Sequence, residues 1–136
     1  VSPAGDIYVL YTKKSQGTDQ EFFEEVEKAY KAFKPTRCGI EQVFQQHRLK
    51  SWLVEQFAKK GVPIYFERFK SSTKKSKPER IQSLQPRFEL RKVFFKQYMT
   101  ELEQETLEFE GEDGGDDDLL DCLAYLWEMA YIPNTP

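Results

Sequence analysis

The sequence predicts an α/β fold in which a mixed sheet is flanked by helices. Three observations carry this. Short β-branched and aromatic runs at residues 7–11, 38–40 and 62–69 read as strands. The longer segments between and after them repeat apolar residues three and four apart, the helical period. The order strand, helix, strand, helix, strand is that of parallel pairing through crossovers. At 136 residues the chain reads as one domain, with 11 Phe, seven Tyr and two Trp to fill its core.

Each element has a local reason. Residues 7–11 lie between Gly5 and Lys13-Lys14-Ser15, which bound a strand. Thr18 or Asp19 caps a helix whose apolar stripe is Phe22, Val26, Ala29, Tyr30 and Phe33, and Pro35 stops it. Residues 38–40 form a short buried strand ending at Glu41. Leu49, Trp52, Leu53, Gln56 and Phe57 give the period of a helix over 45–59, which Gly61 ends before the third strand. The run Ser-Ser-Thr-Lys-Lys-Ser-Lys at 71–77 has nothing to bury and reads as a basic loop. Pro78 opens a helix with Ile81 and Leu84 on its buried side. Residues 88–90 and 93–95 flank Arg91-Lys92 as an expected hairpin, although its turn lacks Gly or Asn. A helix follows over 98–109 with Met99, Leu102 and Leu107. After a loop at 110–115, a last helix carries Leu119, Leu120, Leu123, Leu126, Trp127 and Ala130.

The net charge of −3 conceals a division. Between Lys59 and Lys96, twelve Lys or Arg stand against three Glu, a local charge of +9; from Glu101 to Asp121 there are eleven acids and no base. Such a split suggests a phosphate-holding strip beside a cation-holding one, or two solvated faces that attract each other. Cys38 and Cys122 fit neither a disulfide framework nor a zinc spacing, so both are expected as reduced thiols in a cytosolic protein. No apolar run approaches the ~20 residues that span a bilayer, and no signal-peptide pattern is present, so no membrane partner is expected. The start at Val1, without a methionine, suggests a piece of something longer.

The chemistry-bearing residues concentrate near the C-terminus. Asp116, Asp117, Asp118 and Asp121 crowd the first turn of the last helix. Capping and the macrodipole account for one or two acids there, but not four. Asp118 and Asp121 project from one face, where they repel unless a cation sits between them, and hard divalent cations take such oxygen ligands. Glu41, at a strand end, is the second candidate. Converged with Asp118 it would form a carboxylate cage for Mg²⁺ or Mn²⁺, and two ions ~3.5–4 Å apart would clamp both oxygens of a phosphodiester displacement. His47, the lone histidine, reads as structural. Lys74, Lys75 and Lys77 on the basic loop, with Arg80 one turn on and Arg91 and Lys92 beyond, suit sequence-independent contacts to a nucleic-acid backbone. There is no Ser/His/Asp set, no phosphate-cradling glycine loop and no calcium-loop pattern.

With these residues in view, the chain resembles the nuclease domain of the large terminase subunit of tailed bacteriophages. Asp6-Ile7-Tyr8-Val9-Leu10 is similar to the strand before that domain's first helix, and Pro35-Thr36-Arg37-Cys38-Gly39-Ile40-Glu41 to the strand bearing its second acid. Lys77-Pro78-Glu79-Arg80-Ile81, with Leu84, Pro86 and Phe88, resembles its Lys-x-x-Arg-Ile stretch. Residues 101–109 resemble its Glu-rich helix, and Asp117-Asp118-Leu119-Leu120-Asp121-Cys122-Leu123-Ala124 its Asp-Asp-x-x-Asp-Ala-x-Ala signature. The resemblance implies an RNase H-like fold and two-metal cleavage of concatemeric double-stranded DNA during genome packaging, in the host cytoplasm. It implies an ATPase domain upstream, and a portal and a small terminase subunit as partners. By resemblance Glu41 is the middle-strand acid, and Asp117, Asp118 and Asp121 are the C-terminal cluster; spacing favours Asp118 as the direct ligand, then Asp121. The chain departs from the pattern where the family usually has His at the position of Asp116. The family's first catalytic Asp precedes the strand at Ile7, and Asp6 is a poor substitute, so the first strands and their acid are expected to be missing. A resolvase-like nuclease for branched DNA and a non-catalytic RNase H-like interaction module are the alternatives.

Overall fold

The computed structural model describes residues 1–14, 17–42, 46–70, 76–111 and 117–130. In chain order its elements are β1 (Ile7–Tyr8), α1 (Asp19–Phe33), β2 (Cys38–Gln42), α2 (Gln46–Lys59), β3 (Phe66–Lys70), α3 (Lys77–Gln82), α4 (Gln85–Glu89), β4 (Val93–Phe94), α5 (Thr100–Glu108) and α6 (Asp118–Met129). The protein is α/β. Among the described residues its strands pair as two parallel two-stranded ladders, β1 with β4 and β2 with β3, where one mixed sheet was expected. The chain divides into two compact units: Val1–Lys14 with Thr73–Pro136, and Ser15–Ser72 between them.

In the Ser15–Ser72 unit the predicted helices form close to their expected bounds because their stop signals are local. Thr18 caps α1 by accepting a hydrogen bond from the Glu21 amide, and Lys34 ends it in the left-handed conformation just before Pro35. Gly61, at φ +76°, lets the chain leave α2: its neighbour Val62 donates back to the Phe57 carbonyl. The core gathers Phe23, Leu53, Phe57 and Phe66, with Val26, Tyr30, Leu49 and Trp52 against it. Phe23, not the expected Phe22, is the fully buried member of α1, and Phe33 at the helix end is exposed. β2 runs in register with β3, Cys38 opposite Phe66 and Glu41 opposite Phe69. Arg37, just before β2, makes a bidentate pair with Glu67, both contacts at 2.7 Å.

The other unit corrects the expected hairpin. Residues 85–89 are helical, with Pro86 in the first turn, where its fixed φ suits a helix and its missing N–H costs nothing. Arg91 then takes a positive φ of 57°, and Val93–Phe94 pairs in parallel with Ile7–Tyr8. A strand 86 positions away, not the adjacent segment, completes this ladder. Alternation puts Ile7 in the core and stacks Tyr8 on Phe94 on the outer face, ring centroids 5.0 Å apart. The core collects Ile7, Ile81, Leu84, Met99, Leu102, Leu120, Leu123 and Ala124. Leu107 and Leu126, both expected on buried stripes, are exposed; Glu105 and Tyr125 lie inside instead. Among the described residues no helix is long and apolar enough to cross a membrane.

Candidate functional site

The acidic segment and part of the basic strip, separate in sequence, meet in one place. α3 packs against α6, and α5 packs against α6 as well. Ser76 caps α3 through the Glu79 amide, which fixes where Lys77 and Arg80 leave the helix. Three residues apart, they share a face. Lys77 Nζ reaches Asp117 Oδ1 at 2.7 Å and Asp118 Oδ1 at 3.0 Å. One turn further along, Arg80 Nε and NH2 bond Asp121 Oδ1 and Oδ2, each at 3.1 Å. The two helices are thus joined by a ladder of cations on α3 and carboxylates at the start of α6.

The rungs differ in burial. Arg80 and Asp121 are 6% and 7% exposed, and the Arg80 guanidinium also lies over the Tyr125 ring, 4.5 Å from its centroid. Asp117 is buried, whereas the side chain of Asp118 is 76% exposed. Burial works to lower the pKa of Lys77, but its hydrogen bonds to Asp117 and Asp118 outweigh that and hold the ammonium above the ordinary lysine range. Lys77 therefore stays charged throughout the physiological range.

The cap of α6 comes from elsewhere. Asp117 occupies the N-cap position without a capping hydrogen bond from its side chain. The amides of Leu119 and Leu120 donate instead to Oε1 of Glu105 on α5, at 2.8 and 3.1 Å. Sequence reasoning missed Glu105, although a signal was there: it stands three residues after Leu102 and four before Phe109, on the apolar face of α5.

The remaining candidates are placed as follows. Glu41 lies inside β2, one residue before its end, in the Ser15–Ser72 unit. Lys92 is anchored by Nζ to the Ala4 carbonyl at 2.8 Å, and Arg91 is exposed. Lys74, Lys75 and Asp116 lie outside the described residues, as does the side chain of His47. Among the described residues, no three His, Cys, Asp or Glu side chains gather as around a metal ion.

No family model matches the chain, and neither does any curated protein or solved structure.

Asp117 and Asp118 aim one oxygen each at a single cation, the Lys77 ammonium, which is an arrangement a hard divalent ion also accepts. Asp121 does not fit that use as it stands, because both of its oxygens are bonded to Arg80.

Proposed function

We propose that this chain is most of a metal-dependent endonuclease domain of the phage-terminase kind, acting on double-stranded DNA. One observation carries the reading. Two segments 41 positions apart, singled out in sequence for unlike reasons, interlock as Lys77 with Asp117 and Asp118, and Arg80 with Asp121. In this reading Asp117 and Asp118 hold a Mg²⁺ or Mn²⁺ ion in place of the Lys77 ammonium. Arg80 fixes Asp121, and with it the register of α6 against α3. Glu41 is assigned as the strand-borne acid by resemblance alone. A bound divalent ion would supply an activated water and neutralise charge at phosphorus. Lys77, displaced from the carboxylates, would become available to a DNA phosphate, with Lys74 and Lys75 close to it in sequence, and Arg91 adds an exposed charge. Cleavage of concatemers in the host cytoplasm, an upstream ATPase domain, a portal and a small terminase subunit belong to the same proposal.

A second reading has its own support. Every described acid of the cluster already has a basic partner, as in a purely structural ion-pair ladder of a non-catalytic module. Plasmid nicking separates the two. A chain extended upstream of Val1 should nick supercoiled plasmid in Mn²⁺, and Asp118→Ala should remove that activity while leaving the chain folded. A well-folded extended chain that never nicks would favour the structural module, and nicking that survives Asp118→Ala would remove Asp118 from the proposed site.

A further inference from the structure

Glu105 is a buried charge that the nuclease reading does not use. It is 4% exposed, and its two carboxylate oxygens are committed in different directions. Oε1 accepts from the amides of Leu119 and Leu120, the second and third residues of α6. Oε2 lies 2.8 Å from the Lys14 ammonium, which offsets the charge. An acid at an N-cap ordinarily turns its own carboxylate back onto those two amides. Asp117 sits at that position and does not do so; its carboxylate points to Lys77 instead.

We infer that Glu105 is a positioning residue for the carboxylate cluster: by taking the free amides of α6 from a neighbouring helix, it keeps Asp117 turned outward to a cation. The acid that would have been consumed as a cap is thereby left as a ligand. Lys14, six residues after the end of β1, pairs with the other oxygen of Glu105 and so ties this arrangement to the N-terminal segment. The consequence for metal affinity rests on the proposed nuclease function; the effect on Asp117 does not.

The test is the coupling between Lys77 and Asp117, from a double-mutant cycle (Lys77→Met, Asp117→Ala, both) followed by urea unfolding. It is run with Glu105 intact, with Glu105→Gln and with Glu105→Ala. Gln keeps an oxygen acceptor at the same reach. With Ala the amides are vacated and Asp117 should turn onto them. The expected result is coupling retained with Gln and lost with Ala. Where the Ala variant does not fold, Glu105→Asp, one methylene too short for both amides, replaces it with the same expected loss. Coupling undiminished in the shortened variant, with only overall stability reduced, would make Glu105 a plain helix cap and overturn the inference. Mn²⁺ titration of the same variants is the second readout, with affinity expected to fall about 10–100-fold in the Ala variant relative to Gln. If the chain with Glu105 intact binds no Mn²⁺, the metal reading fails, while the coupling still decides the role of Glu105.

Discussion

Asp121→Ala should destabilise its unit by about 3–5 kcal/mol, among the largest effects of any single polar substitution in the chain. Arg80 and Asp121 are both buried and bonded through two parallel contacts, so removing the carboxylate takes two charge-assisted hydrogen bonds from a buried guanidinium that cannot lose its proton. The Tyr125 ring stays beside it, but a cation–π contact offsets only about 1–2 kcal/mol of that cost. Asp118→Ala provides the contrast. Its side chain is mostly exposed and its contact with Lys77 is a surface ion pair, so urea unfolding should register about 0–1 kcal/mol. Replacing both buried partners, Arg80→Met with Asp121→Leu, should recover most of the loss, because the cost lies in a buried guanidinium deprived of its carboxylate rather than in the absence of the pair. A small effect of Asp121→Ala would mean that Arg80 reaches water in solution.

Phe57→Ala should cost the Ser15–Ser72 unit a similar amount, about 3–5 kcal/mol. Phe57 is 1% exposed and centres an aromatic group. Its ring meets Phe23 edge-on with centroids 5.0 Å apart, and Tyr30 at 5.7 Å. Among the described residues this core buries Phe23, Leu53 and Phe66 besides Phe57, which leaves little with which to fill the space. Trp52 packs against Phe23 in this unit, and the chain's other tryptophan, Trp127, lies in the second unit. Fluorescence of a Trp127→Phe background should therefore report the loss directly. A shift below about 1 kcal/mol would indicate that the site collapses around the missing ring.

What the sequence made legible was local. The N-cap at Thr18, the stop at Lys34–Pro35, the glycine exit at Gly61 and the proline-opened helix at Lys77–Gln82 each depend on residues within one turn. Burial stripes were legible only approximately, because a helix facing one neighbour rotates to suit it: Phe23 displaced Phe22, and Leu107 yielded to Glu105. The ladder of β1 with β4 and the meeting of α3 with α6 depend on contacts between distant segments, which no local pattern encodes. The functional residues follow the same division. The carboxylates and lysines stood out as unusual clusters, but read separately they became a metal site and a DNA grip. Their pairing with one another, and the cap supplied from α5, arise only once the helices pack.

Under the proposed function, Asp117 and Asp118 form a cation site which Lys77 fills in the absence of a divalent ion. Calorimetric titration of the chain with Mn²⁺ tests it most directly, in three forms: unmodified, Asp118→Ala and Lys77→Met. The account requires saturable binding that weakens in Asp118→Ala, where a ligand is lost, and tightens in Lys77→Met, where the competing ammonium is gone. No saturable binding, or binding indifferent to both substitutions, would contradict it and leave the ladder between α3 and α6 as a structural device alone.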